Sequence, residues 1–335
     1  MLSNRSPQEN LTISCSPHIH AATDTRAIML DVCAALLPVL IGAVYHFGMR
    51  ALLLTAVSAS ACVFFEWAYR KLLKLDCTVT DGSAVVTGML LALVCPVTLP
   101  IWTLLIGDFF AIVIVKQLFG GIGKNFMNPA LAARAFLCSW AGLMGAGAFY
   151  PPGTRYRFFT GKAIDAVTEA TPLAVMKDGS IASLKVVKLL FGRIGGCMGE
   201  VSVILILVGG IYLLARRVIT LRIPLSYLLS VAVLTFLFPR GNDRVTWMLL
   251  QLCSGGLLLG AIFMVTDYVT SPVTGWGQIL YGIGCGALTV LIRYFGAYAE
   301  GATYAILIMN ACSTLLDKVG RPRRFGAGKK GGARG

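Results

Sequence analysis

The chain has 335 residues, of which 57% are hydrophobic and 13% charged, and its mean hydropathy is +0.78. This composition excludes a soluble globular protein and a disordered one, and it indicates a polytopic membrane protein. The net charge of +14 does not indicate a nucleic-acid-binding protein, because the basic residues flank apolar segments and form no patch interleaved with aromatic residues.

Apolar runs of about the length of a membrane span, separated by turn residues, predict about ten transmembrane helices. The polar start lacks the apolar core of a secretory signal, so we expect residues 1–26 to remain as a tail. The third run is short and ends at Pro96 and Pro100, which predicts a tilted or discontinuous helix. The predicted helices are 28–48, 51–72, 83–97, 101–119, 129–146, 199–215, 222–239, 246–266, 274–295 and 300–318.

The lysines and arginines predict the orientation of these helices. They crowd into alternate loops, and the opposite loops receive few of them, among which is Arg50. Both termini are therefore expected in the cytoplasm, and the polar segment 147–198 on the extracytoplasmic side. The predicted domains are a tail over 1–26, a first membrane repeat over 27–146, a loop domain over 147–198, a second membrane repeat over 199–318 and a basic tail over 319–335.

The two membrane halves resemble each other in sequence. VVTGMLLALVCPVTLP around Gly88 matches LLLGAIFMVTDYVTSP around Gly260. Because each half holds an odd number of predicted helices, the second copy would be inverted, as in many transporter folds. The prediction is an all-α membrane protein of two inverted five-helix repeats. The alternative is that helices rich in small residues resemble one another by composition alone.

The ten cysteines are scattered singly, without a C-x-x-C pair. This spacing predicts small apolar residues, and it disfavours a zinc site or an iron–sulfur cluster made by this chain alone. An iron–sulfur cluster shared with another subunit stays open.

The loop domain contains DAVTEATPLAVMK, residues 165–177. Pro172 and the apolar residues after it predict the start of a helix, with Thr171 as its N-cap. Capping alone is sufficient to explain the threonine. A phosphate esterified to the Thr171 hydroxyl would lie at the same helix start, where free N–H groups favour an anion. The two roles are compatible in space.

DAVTEATPLA resembles the covalent flavin-attachment motif of the D subunits of Rnf-type electron-transport complexes, which are related to the B subunit of the sodium-translocating NADH:quinone reductase. In that family the last threonine of a Ser/Thr-x-Ala-Thr sequence carries FMN through a phosphoester. The resemblance implies covalent FMN on Thr171, with Asp165, Thr168 and Pro172 in the flavin-binding segment. Glu169 replaces a common glycine, and we expect its carboxylate to point away from the phosphate. Other segments similar to the family, in the same order, are SPHIH, DVCAALLP, TDGSAVVTGMLLAL, GKNFMNPALAARAF and TDYVTSPVT.

The loop FGGIGKNFMNP, which follows the fourth predicted helix, is a candidate for a second flavin site. The related quinone reductase holds a non-covalent riboflavin at a similar loop of its B subunit. The amides of Asn125 and Asn128 could therefore bind the edge of a riboflavin ring. The alternative is a connecting loop in which Asn128 caps the helix that opens at Pro129.

Asp108 and Asp267 are the candidate residues of an ion path. Asp108 lies midway along its predicted helix, where an uncompensated carboxylate is costly. Asp267 precedes a proline-broken stretch that could expose carbonyl oxygens to a cation. The alternative is that such residues lie at helix ends, in contact with water and lipid headgroups.

The resemblance implies a redox subunit that carries FMN and passes electrons between ferredoxin and NAD within an Rnf complex, coupled to Na+ or H+ translocation. The implied partners are the other Rnf subunits, a flavin transferase and, indirectly, ferredoxin and NAD, in the inner (plasma) membrane. The alternatives are a secondary transporter or channel for a small solute, which the inverted repeat would suit, and a structural subunit without a cofactor.

Overall fold

The computed structural model describes residues 24–140, 144, 148–151, 153, 171–177, 186–192, 195–200, 202–241, 243–296 and 300–319. These residues form helices and the turns between them, and none of them belongs to a β-strand. The predicted all-α architecture is confirmed over these ranges.

The helices of the first half begin close to the predicted positions, but the fifth, predicted over 129–146, ends at Cys138. They are α1 (Thr25–Phe47), α2 (Met49–Leu72), α3 (Ser83–Leu93), α4 (Ile101–Phe109, continued by a π-helix over Phe110–Gln117) and α5 (Pro129–Cys138). Short helices follow as α6 (Pro172–Lys177) and α7 (Val186–Leu190). The second half contains α8 (Val203–Ala215), α9 (Arg222–Leu237), α10 (Arg244–Cys253), α11 (Leu257–Leu259, continued by a π-helix over Gly260–Met264), α12 (Gly275–Phe295) and α13 (Ala302–Val319).

Several of these helices are long and apolar enough to cross a bilayer. Within the ranges given above, α1, α2 and α12 meet both conditions, and α10 with Leu257–Met264 would form a further span bent by 63°. Other apolar helices, such as α3, α5, α8 and α9, are shorter than the roughly 20 residues that a straight span needs. Over the described residues the chain thus has the all-helical, apolar character of a membrane protein, while ten spans and inverted repeats stay predictions.

The discontinuity predicted after α3 is present, because α3 ends at Leu93. The break frees backbone carbonyls, and Arg50 satisfies part of them: its Nε donates to Val97 O (2.7 Å) and its Nη2 to Leu99 O (2.8 Å). Arg50 is only 2% exposed. Its prediction as a loop residue was wrong, because the carbonyls of the break recruit it into the interior.

A second break was not predicted. The sequence suggests one helix over 246–266, but α10 ends at Cys253 and Gly255 adopts a φ of 69°, which favours glycine. Arg293 satisfies the freed carbonyls, with Nη1 donating to Gln251 O (2.6 Å) and Nη2 to Ser254 O (3.0 Å). In both halves a buried arginine thus supports a broken helix.

The helices approach closely at glycines. A Cβ on Gly88 of α3 would lie 2.7 Å from the Ala59 Cα and the Ser58 carbonyl oxygen of α2. Gly282 and Gly286 of α12 meet Ser226 and Ser230 of α9 in the same way. Small residues that let backbones approach are typical of membrane helix pairs. At the same α2–α3 contact Ser58 Oγ lies 2.9 Å from Gly88 O, and Ser58 also contacts Asp108 of α4, as described below.

Candidate functional site

Thr171 lies at the start of α6, as predicted. Its Oγ1 accepts a hydrogen bond from the Ala174 N–H (3.3 Å), and its carbonyl oxygen accepts one from the Val175 N–H (3.0 Å). Pro172 occupies the first turn and is buried, while Thr171 is half-buried. The predicted N-cap is confirmed. Because Oγ1 acts here as an acceptor, its own proton is not needed for the cap.

The helix that follows Thr171 is fixed to the second half of the chain. Leu173 and Met176 are buried in a small apolar cluster with Trp247 and Leu250 of α10 and with Leu189 of α7. Outside this cluster the Lys177 Nζ donates to Gly296 O (2.7 Å). Thr171 therefore has a defined place beside α10 and α12.

The helix α10, against which α6 packs, is capped at its N-terminus by a side chain of the preceding loop. Asp243 caps it, accepting from the N–H groups of Val245 (3.3 Å) and Thr246 (3.2 Å). The hydroxyl and backbone N–H of Thr246, with the Val245 N–H, hold the pKa of Asp243 below its usual range. The cap is therefore charged at neutral pH and steadies the helix against which Thr171 is positioned.

Asp165, Thr168 and Glu169 belong to the segment 154–170, which lies outside the described residues. Their predicted places in the flavin-binding segment stay predictions.

A cleft near the loop after α4 brings together several predicted residues. It encloses about 810 Å³ of empty space, a volume that includes its open mouth. Most of its wall is apolar. Its polar and charged lining residues are Ser83, Thr87, Lys116, Asn125, Asn128, Thr266 and Asp267. An apolar cavity with a few convergent polar groups is typical of small-molecule sites.

Asn128 caps α5, which is the alternative role considered from the sequence, and its flavin role stays a prediction. Its Oδ1 accepts from the N–H groups of Ala130 (3.0 Å) and Leu131 (3.3 Å), which caps α5. Its Nδ2 donates to Met264 O (3.3 Å), 136 residues further along the chain. Asn125 also lines the cleft, and its Nδ2 donates to Met127 O (3.1 Å). The structure thus brings Asn125, Asn128 and Asp267 together, whereas Thr171 is not among the cleft residues.

Lys116 is a cleft residue that the sequence does not identify. The charge pattern assigns it to the positive loops, but it is 3% exposed and forms an ion pair with the fully buried Glu66, with Nζ to Oε2 at 2.8 Å. Lys116 also donates to Ser83 Oγ (2.6 Å), and Glu66 accepts from Gln117 Nε2 (2.9 Å). The cleft therefore has a fixed positive group in its wall whose counter-ion lies behind it.

Asp267 lies in the turn after the second π-helix. Its carboxylate accepts from the Val269 N–H (3.4 Å) and from Thr270 Oγ1 (3.3 Å). No arginine or lysine forms an ion pair with it within the part of the chain that the structure describes. It contributes a carboxyl group to the lining of the cleft, which Lys116 also lines.

Asp108 is fully buried in α4, away from the cleft lining. Its Oδ1 lies 2.5 Å from Ser58 Oγ and 3.3 Å from Cys62 Sγ, both on α2. Its Oδ2 has no hydrogen-bond partner. The predicted deep position is confirmed, and the structure does not bring Asp108 and Asp267 together.

A buried charge cluster near the second break was also missed by sequence reasoning. Arg134 of α5 forms ion pairs with Glu300 and, at 3.7 Å, with Glu200, and its Nη2 lies 3.4 Å from Cys197 Sγ. Cys197, Glu200 and Glu300 present ligand atoms within 4.8 Å of one another, as a metal site would. The Arg134 guanidinium already supplies the positive charge between them, so this cluster is an ion-pair network.

Comparison with known proteins covers nearly the whole chain. The family model described as NQR2, RnfD, RnfE matches residues 12–326. The chain is 47% identical over 324 residues to the D subunit of the Na+-translocating ferredoxin:NAD+ oxidoreductase complex of Acetobacterium woodii, covering 96% of each chain. It is 39% identical over 326 residues to the D subunit of the proton-translocating ferredoxin:NAD+ oxidoreductase complex of Clostridium ljungdahlii, covering 94% of this chain and 96% of the relative. The resemblance inferred from the sequence motifs is confirmed.

Proposed function

Since the chain belongs to the NQR2, RnfD, RnfE family, we propose that it is an electron-carrying membrane subunit of an Rnf complex with FMN bound covalently to Thr171. Curated relatives at up to 47% identity are named as subunits of ion-translocating ferredoxin:NAD+ oxidoreductase complexes, so the chain is part of such an oxidoreductase complex. Its partners are other Rnf subunits. Because the relatives have oxidoreductase names, a solute transporter is not proposed.

The observation that carries the FMN proposal is the place of Thr171 within its motif. The hydroxyl is half-buried at the start of a docked helix, and its proton is not engaged in the cap. A phosphate ester on Oγ1 would lie next to the N–H groups of the first turn, which favour negative charge. The Leu173 and Met176 contacts would then hold the attachment point at a fixed distance from α10.

The residues of the cleft fit a second, non-covalent flavin, for which we propose riboflavin. Such a ring has apolar faces and a polar edge, and the cleft offers the side chains of Val86, Leu90 and Phe263 beside the amides of Asn125 and Asn128. When bound, a flavin supplies one- and two-electron transfer. The chain's part is to hold the ring edge through these amides and to place the Lys116 charge nearby. Ion transfer beside the redox step is proposed for Asp267 and Asp108.

The test of covalent attachment uses the complex purified from its native host. The denatured chain is examined for flavin fluorescence, and the peptide AIDAVTEATPLAVMK (163–177) for the added mass of one FMN. We expect Thr171→Ala to remove both signals. Thr171→Ser, which keeps a hydroxyl at the same position, is the matched control and is expected to retain at least part of the label. A labelled Thr171→Ala chain would reject the assignment.

The second flavin has a separate readout. Acid denaturation of the complex releases non-covalent flavin, which is quantified chromatographically. Asn125→Ala is expected to lower the riboflavin content at least tenfold without changing the covalent FMN, since a lost polar anchor costs about 1.4 kcal/mol or more of binding free energy. Gln278→Ala removes an amide from α12 outside the cleft lining and serves as the control. Equal riboflavin in both variants would contradict this site.

A further inference from the structure

The hydrogen-bond partners of Asp108 bear on whether its carboxyl group is neutral or ionised. Asp108 is fully buried in α4, at the turn that leads into the π-helix. Its Oδ1 lies 2.5 Å from Ser58 Oγ, and the same Ser58 Oγ lies 2.9 Å from the carbonyl oxygen of Gly88 in α3. Cys62 Sγ is the remaining polar neighbour, at 3.3 Å from Oδ1. Asp108 Oδ2 has no partner.

An ionised Asp108 fits these contacts poorly. A carboxylate only accepts hydrogen bonds, and both of its neighbours, Ser58 and Cys62, contact the same oxygen. Oδ2 would then carry negative charge in the interior without any donor. Burial of an ionised carboxylate with so little compensation is strongly unfavourable, especially within a membrane.

A neutral Asp108 fits them well. With the proton on Oδ1, the acid donates to Ser58 Oγ, and the Ser58 hydroxyl donates onward to Gly88 O. Both O–H groups then have an acceptor, and Oδ2 becomes an uncharged carbonyl oxygen, for which the lack of a donor costs far less. The distances therefore describe a short chain of hydrogen bonds that runs from Asp108 of α4 through Ser58 of α2 to Gly88 O of α3.

The charged groups nearby do not offer Asp108 a counter-ion. Lys116 is committed to Glu66, and Arg134 is committed to Glu300. The helix α3 has no ionisable side chain. The elements packed against α4 carry these ionisable groups: Arg50, Cys62, Glu66, Tyr69, Arg70 and Lys71 of α2, Lys116 of the π-helix, and Arg134 and Cys138 of α5. Cys95, which follows α3, also interacts electrostatically with Asp108.

We propose that Asp108 is a proton-binding site: a neutral carboxylic acid whose proton exchanges with water as the complex turns over. This deepens the ion-path role proposed for Asp108 above, and it names the ion. Release of the proton converts the carboxyl to a carboxylate with no electron exchanged at the site. The Ser58 hydroxyl then turns from Gly88 O to the carboxylate, since both acceptors lie within its reach. A hard metal cation such as Na+ prefers several oxygen ligands. The surroundings of Asp108 suit it poorly, because one of the two side chains that contact Oδ1 is the Cys62 thiol.

The test is infrared spectroscopy of the whole complex reconstituted in liposomes. A wild-type minus Asp108→Asn difference spectrum is expected to contain the C=O stretch of a protonated carboxyl group, and this band should shift in D₂O during turnover. Ser58→Ala is expected to keep the band but to move it, because the acid loses its acceptor. Asp31→Asn is the matched control and should leave the band unchanged, because Asp31 is paired with Arg216 at 3.2 Å.

The outcomes separate this proposal from the flavin proposals. Absence of the band would show that Asp108 is ionised and would overturn the inference. Loss of the band when K+ is replaced by Na+ would show that sodium displaces the proton. A band that never shifts in D₂O would show that the proton does not exchange with water. Either result would overturn the inference. If Asp108→Asn fails to assemble, the Ser58→Ala shift carries the test. Flavin content is read separately in each variant, so failure of FMN attachment does not affect the result.

Discussion

The buried pair Lys116–Glu66 allows a quantitative prediction about the cleft wall. Removing one member of a buried ion pair costs about 3–5 kcal/mol, because the other charge stays buried without compensation. After Lys116→Met, Glu66 still accepts hydrogen bonds from Gln117 (2.9 Å) and Thr78 (3.0 Å). We therefore expect the free energy of unfolding to fall by about 3 kcal/mol. After Glu66→Leu, Lys116 keeps only Ser83 from its contacts, which predicts a loss of about 5 kcal/mol.

The double variant Lys116→Met with Glu66→Leu should recover most of this loss, since it leaves no unpaired charge. The coupling energy from the four proteins is therefore expected to be at least about 3 kcal/mol. Equilibrium unfolding of the purified chain in mixed detergent–SDS micelles, followed by circular dichroism, measures it. The pair Arg216–Asp31, in which the Arg216 side chain is 57% exposed, is the control, with an expected coupling below about 1 kcal/mol. Similar coupling energies for the two pairs would refute the reasoning.

Two further predictions concern packing. Gly88→Ala places a Cβ 2.7 Å from the Ala59 Cα, so it should force α2 and α3 apart and cost about 1–3 kcal/mol, measured as a lower melting temperature of the purified chain. Leu173→Ala should weaken the docking of α6 by about 2–5 kcal/mol, because Leu173 is 4% exposed; faster hydrogen exchange of peptide 171–177 would report it. Val187→Ala, at a side chain that is 62% exposed, should leave that exchange unchanged.

Local signals in the sequence were sufficient for many features of the fold. Thr171 before Pro172 and Asn128 before Pro129 each place a capping side chain directly before a proline, and both residues cap their helices. Pro96 likewise marked the end of α3. The break after Cys253 has no proline, and its signal is Gly255 followed by Gly256, which the apolar run around it obscured.

The charged interior was not predictable in the same way. Lys116 and Glu66 are 50 residues apart, and Arg134 and Glu300 are 166 apart. Rules for loop charge assign such residues to the membrane surface, because they contain no information on tertiary partners. Only the helix packing decides that Lys116 enters the cleft wall and that Arg50 supports a broken helix.

The Asn128 amide is one of the contacts that connect the two halves of the membrane region. Asn128 caps a helix of the first half and donates to Met264 O of the second, and it is 4% exposed. A rocking motion of one half against the other would have to break this bond and leave buried polar groups unpaired. Transporters that alternate access depend on such motion. For the electron-carrying role proposed above, a joint that resists rocking would instead hold the distances between bound cofactors constant.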